Sequence, residues 1–130
     1  MPSFPFSTLS TLLVLFVYLG LSIVVARARG TYGVHAPAVT GHIEFEKRFR
    51  VQMNTLEQIV VLLPALWLCA FWLGDIPAAI GGVVWAIGRL LYARGYYIAA
   101  EKREIGFVLS VISTIAMLVA TLWNVLKGFL

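Results

Sequence analysis

Residues 9–26 form a charge-free run of about 18 residues, ~27 Å long as a helix, whose only polar members are Ser, Thr and Tyr. Three more long stretches of the same kind follow, and together they predict helices over about 7–28, 46–73, 77–101 and 105–127. The chain has 130 residues, of which 61% are apolar and 12% charged. A soluble domain this small buries only about 60–70% of the surface its unfolded chain exposes, too little to hide so much apolar area. The expected architecture is therefore all-α, an integral membrane four-helix bundle built as a single domain over 1–130. Residues 1–6 carry two prolines, two phenylalanines and no charge. They show neither the basic start nor the small-residue cleavage site of a secretory leader, so the first helix is expected to be retained.

Charge narrows the function. The net charge of +4 could suit a nucleic-acid partner, but nine of the ten Lys and Arg fall in 27–50 and 89–103, at one end of the expected bundle. That placement argues for a membrane surface and no nucleic acid. By the positive-inside rule the basic end faces the cytoplasm, and the 74–77 turn, which has no positive charge, faces the other side. A short chain without a retrieval tail favours a bacterial inner membrane over the endoplasmic reticulum. Residues 27–46 read as one long polar loop holding His35 and His42. No carboxylate or thiol completes a ligand set around them, so no metal is expected. The single cysteine, Cys69, lies in an apolar run and reads as a small buried hydrophobe. Asp75 reads as the N-cap of the third helix. Ala78, Gly82 and Ala86 form a small-residue row that lets helices approach closely in lipid.

Polar side chains that enter the apolar helices carry the functional signal. Arg50, Asn54 and Glu57 sit at i, i+4 and i+7, on one face of the second helix. Arg89, Tyr92, Tyr96 and Arg103 fall within about 60° of one another if the third helix runs through them. Both faces end at the same basic interface and can converge. A charge inside a bilayer needs a partner or a task. With Arg29 and Gln52 added, the set suits a small zwitterion with more carboxylates than amines. Arginine forks a carboxylate, and Glu57 can pair with an ammonium.

The motif Phe45-Glu46-x-x-Phe49-Arg50-x-Gln52-x-Asn54-x-x-Glu57 resembles the MAPEG family of membrane proteins in eicosanoid and glutathione metabolism. So do Gly88-Arg89-x-x-Tyr92-x-x-Gly95-Tyr96-x-x-Ala99-Ala100-x-x-Arg103 and the linker Ala36-Pro37-Ala38-Val39-Thr40-Gly41. Within the family the chain is most similar to the branch holding microsomal glutathione transferase 2 and leukotriene C synthase. The resemblance implies a homotrimer that holds glutathione, as co-substrate, between neighbouring subunits. It implies that Arg50, Asn54, Glu57, Tyr92 and Tyr96 line the peptide, with Glu57 on the γ-glutamyl ammonium. Arg29 and Gln52 would reach over from the adjacent subunit, Arg89 would support the carboxylate end, and Arg103 would meet the sulfur as the catalytic group. Two positions depart from the family pattern. Gln58 stands where a tyrosine is common, and Gly30 where leukotriene C synthase has a second arginine.

The implied chemistry is conjugation of glutathione to lipophilic electrophiles arriving from the membrane lipid, with reduction of lipid hydroperoxides as a second outcome. An unperturbed thiol with a pKa near 8.5 is only about 3% thiolate at pH 7, and the thiolate is the nucleophile. An arginine beside the sulfur favours the anion. The alternative is a noncatalytic lipid-binding scaffold resembling five-lipoxygenase activating protein, which lacks the arginines matching Arg50 and Arg103. A transporter would need a polar path through the whole membrane, and the polar faces here stop at one side.

Overall fold

The computed structural model describes residues 3–130; Met1 and Pro2, at the start of the stretch read for a leader, lie outside the described residues. Four helices follow one another: α1 Pro5–Tyr32, α2 Ile43–Leu73, α3 Asp75–Ile98 and α4 Glu104–Lys127, with a 3-10 turn at Ala100–Arg103 before α4. All four spans are long and apolar enough to cross a membrane, and no strand occurs among the described residues. The chain is an integral, multi-pass membrane protein. α3 packs on each of the other three helices. Its Trp85, Ala86 and Ala78 meet Leu62 and Leu66 of α2 and Val14 of α1 in a core with almost no exposed area. Outward faces keep large apolar groups such as Phe16, Val60 and Ile112, as lipid-facing helices do.

Small residues and hydroxyls join the helices. The Ala78–Gly82–Ala86 row is buried, and Ser10 donates to the Ala79 carbonyl oxygen at 3.0 Å. Ser113 of α4 donates to the Gly81 carbonyl oxygen at 2.5 Å. Without a hydrophobic drive in lipid, such close backbone approach and hydroxyl bonding hold helices together. The closest backbone approach is at the basic end. A Cβ on Gly106 would strike the backbone of Tyr92 and Gly88, so α3 and α4 touch main chain to main chain.

Three sequence expectations change. First, α1 continues through Arg27, Arg29 and Gly30 to Tyr32, so the polar loop is only 33–42. The helix stops where Gly33 turns left-handed (φ 69°) and its N–H caps the Arg29 carbonyl. Basic and polar residues had suggested a loop, but nothing in them breaks a helix. Second, α3 ends at Ile98 rather than 101, because Ala99 is extended (φ −158°, ψ 138°) and the chain folds back through the 3-10 turn.

Third, Asp75 does not cap its own helix, whose N-cap is Gly74 without a side-chain bond. Its carboxylate accepts instead from the backbone N–H of Phe6 at 2.9 Å and of Ser7 at 2.6 Å, and the Ser7 hydroxyl donates to the Asp75 carbonyl oxygen at 3.1 Å. Asp75 therefore satisfies the free N–H groups that begin α1, a tertiary cap across 68 residues of sequence. Replacing Asp75 with Ala should destabilise the start of α1 by leaving its first N–H groups without that acceptor. Amide hydrogen exchange at Phe6 and Ser7 should accelerate while that of Asn54 stays slow; unchanged exchange at the α1 start would disprove the cap.

Candidate functional site

At the basic end, α2, α3 and α4 enclose a cavity of about 470 Å³. Arg50 and Asn54 of α2, Tyr92 and Tyr96 of α3, and Arg103 of the 3-10 turn all line it. α4 supplies the remaining wall through Glu104, Phe107 and Val108. The volume lies in the range of small-ligand sites, and the lining mixes convergent polar groups with aromatic surface.

α2 brings its polar face here because the helix begins in the basic loop and runs unbroken into the apolar span. His42 caps its start, accepting from the Glu44 N–H through Nδ1 at 3.2 Å. One helix thus carries Arg50, Asn54 and Glu57 at fixed spacing from surface to interior. Arg50 Nη1 lies 3.5 Å from Glu57 Oε1, with both side chains about half exposed (55% and 54%). A pair so solvated holds itself together by no more than about 1 kcal/mol, so either partner is free to exchange onto a ligand. Glu57 sits beside the cavity, tied to two wall residues, since Asn54 Nδ2 also donates to it at 3.4 Å.

Behind this layer lies Arg89, fully buried at 0% exposure. Its Nε and Nη2 donate to Thr55 Oγ1 at 3.2 and 2.9 Å, and Nη2 also donates to Asn54 Oδ1 at 2.9 Å. Thr55 spends its own proton on the Val51 carbonyl oxygen at 2.7 Å, leaving its lone pairs to the guanidinium. The charge also rests on the Tyr92 ring, 3.9 Å from its centroid. No carboxylate pairs with Arg89 among the described residues, and Nη1 has no partner. The arginine therefore orients rather than faces the cavity. It fixes the Asn54 carbonyl inward, which turns the Asn54 amide donors toward Glu57, and it holds the Tyr92 ring in place.

Arg103 reaches the cavity by a route the sequence periodicity did not foresee. It is not on α3. The fold-back at Ala99 carries it there, and Gly95 makes the fold-back fit, because a Cβ at that position would strike the Lys102 carbonyl. The guanidinium then lies over the Tyr96 ring at 5.5 Å and makes no ion pair among the described residues. A solvent-accessible cation on an aromatic platform, at a cavity wall, is available to an incoming anion.

Arg29 and Gln52 lie elsewhere. Arg29 Nη1 donates to the carbonyl oxygens of Val34 at 3.2 Å and Ala38 at 2.7 Å, and its guanidinium covers Phe45 at 4.8 Å, so within this subunit it clamps the 33–42 loop. Gln52 donates to Ser22 Oγ of α1 at 3.0 Å. Neither lines the cavity. Cys69 is buried in the apolar core, and no three His, Cys, Asp or Glu side chains converge among the described residues.

Sequence reasoning missed Thr55, Glu104, Phe107 and Val108. Thr55 was signalled by its position, one residue past Asn54 and therefore about 100° inward, where a hydroxyl in an apolar helix needs a reason. Glu104 was signalled only by following Arg103. Phe107 and Val108 carry no mark that separates them from other apolar residues of α4.

Comparison with known proteins adds an independent line. The model of the MAPEG family matches residues 7–123. An uncharacterized protein of Synechocystis sp. is 51% identical over 118 residues, covering 91% of this chain and 86% of that protein. Microsomal glutathione S-transferase 2 of Homo sapiens is 43% identical over 86 residues, 66% of this chain and 58% of its own length. Leukotriene C4 synthase of Bos taurus is 34% identical over 93 residues, 72% of this chain and 62% of its own length. The alignments thus span less than two thirds of the two relatives that carry enzyme names.

Proposed function

The chain belongs to the MAPEG family, and from that premise we propose that it is a membrane-bound glutathione transferase that stabilises the glutathione thiolate and conjugates it to lipophilic electrophiles. The observation that carries the reading is Arg103, a guanidinium without an ion pair among the described residues, held over Tyr96 on the wall of a cavity shared with Arg50 and Asn54. The ligand's charges find their complements there. Arg50 offers a fork for a carboxylate, and Glu57, released from Arg50, takes the γ-glutamyl ammonium. Asn54, held by Arg89, presents its amide between them.

With the peptide so placed, the thiol gives its proton to water and Arg103 stabilises the resulting anion. The sulfur attacks an electrophilic carbon, a C–S bond forms, and the leaving group departs with its electron pair. A lipid hydroperoxide reacts at the same sulfur. The thiolate takes the distal oxygen as a sulfenic acid, the alkoxide is protonated to the alcohol, and a second glutathione converts the sulfenic acid to the disulfide and water.

Family membership is what supports a homotrimer, in which Arg29 and Gln52 would have to leave the Ala38 carbonyl and Ser22 to reach a neighbouring copy's cavity. The clustering of Lys and Arg at the site's end supports a cytoplasmic orientation. Mixing detergent-purified protein with glutathione at neutral pH should produce saturable thiolate absorbance, and native mass spectrometry should give three copies per particle. Absence of both thiolate and glutathione binding would overturn the reading.

A further inference from the structure

Glu104 is the one acidic side chain on the cavity wall, and the proposed transfer reaction gives it no role. It follows Arg103 directly and begins α4, and it makes neither ion pair nor side-chain hydrogen bond among the described residues. With Val108 it lines a second recess of about 420 Å³, whose other walls are Ile105, Leu109 and Ile112. The two spaces therefore share Glu104 and Val108. One mixes aromatic surface with polar groups and carries the arginines. The other is apolar and runs along the outer face of α4, where Ile105 is 78% and Ile112 58% exposed.

An electrophile passing from the apolar recess to the sulfur would cross the wall that Glu104 and Val108 share. We propose that Glu104 sets the charge selectivity for the electrophile, disfavouring acceptors with an anionic group near the reacting carbon and admitting neutral or cationic ones. The inference rests on the transferase reading and extends it to the substrate class. The physical cause is like-charge repulsion at close range: Glu104 is exposed, so water and salt screen its charge at a distance, and it acts on an acceptor whose own charge passes within a few ångströms of it. Arg103 does not cancel this effect during the reaction, because its charge is then engaged by the thiolate.

Two acceptors with the same reacting carbon test the idea, a chlorodinitrobenzoate and the corresponding chlorodinitrobenzamide. In each, the thiolate sulfur forms the C–S bond, the C–Cl bond breaks, and chloride leaves with the bonding electrons. The readout is the ratio of kcat/KM for the amide to that for the carboxylate, in the wild type, Glu104→Gln and Glu104→Lys. Taking this ratio within each protein removes differences in expression and glutathione affinity, and comparing it between variants removes the unequal partition of the two acceptors into detergent. The ratio should fall about fivefold in Glu104→Gln and further in Glu104→Lys. A ratio that is the same in all three proteins, with the amide turned over, overturns the charge filter and leaves the transferase reading intact. A wild type that forms the thiolate but turns over the carboxylate and not the amide also overturns the charge filter, whereas absence of both thiolate and glutathione binding overturns the transferase reading itself.

Discussion

Arg103→Ala should abolish the thiolate absorbance formed on mixing with glutathione and lower the rate of conjugation about 25-fold at pH 7. The magnitude follows from ionisation alone. A free thiol with pKa near 8.5 is about 3% thiolate at pH 7, and a downward shift of ~2 units, worth ~2.7 kcal/mol, raises that to roughly three quarters. Among the described residues Arg103 is the cavity-lining cation without an ion pair, and it is exposed, so its removal leaves no buried partner and should spare the fold. The variant should therefore bind glutathione and run slowly. Because only the thiolate reacts, its rate should climb with pH through the free thiol's range, whereas the wild-type rate should already be near its plateau. A variant that keeps the neutral-pH thiolate would remove Arg103 from the catalytic role and shift it to Arg50.

Thr55→Val should cost about 3 kcal/mol of stability, although it exchanges two side chains of almost equal shape. The valine cannot accept from Arg89, so the buried guanidinium would lose the acceptor of its Nε bond and one of the two acceptors of Nη2, with Nη1 already unpaired. Hydrogen bonds to charged groups carry about 1.5–3 kcal/mol, and stranding a buried charge costs more than the bond itself. The double variant Thr55→Val with Arg89→Met should recover most of that loss, since an apolar pair of similar volume has no charge to solvate. It should still bind glutathione weakly, because Asn54 would no longer be oriented. Thermal unfolding in detergent and a glutathione titration together check this. A double variant no more stable than the single one would mean that Thr55 acts through the Val51 carbonyl rather than through Arg89.

Much of the site is legible in the amino-acid sequence because the α2 part depends on one helix only. Arg50, Asn54 and Glu57 lie on a segment with no glycine and with its sole proline, Pro64, beyond them, so their common face follows from helical geometry. Tyr92 and Tyr96 are readable for the same reason, their rings ending 5.6 Å apart on α3. Arg89 misleads. Its angle places it with the two tyrosines, yet burial and the bonds to Thr55 and Asn54 put it behind them as a support. Periodicity places Arg103 at the site for an incomplete reason, since the face-sharing estimate carries α3 through Ala99, where the helix ends.

The sequence alone determined the number of membrane helices, the end at which charge collects and the α2 face that lines the cavity, because each depends on hydrophobicity and spacing along a single segment. Tertiary structure decided what each polar group does. Asp75 serves α1 rather than its own helix, because the free N–H groups it satisfies lie beside it only after the bundle has packed. Arg103 arrives through a fold-back that Gly95 permits, and Glu104 joins two spaces that lie far apart in chemistry but share one wall. Such assignments depend on which atoms become neighbours across helices, and a buried donor takes whatever acceptor packing brings within about 3 Å, information that no local pattern in the chain contains.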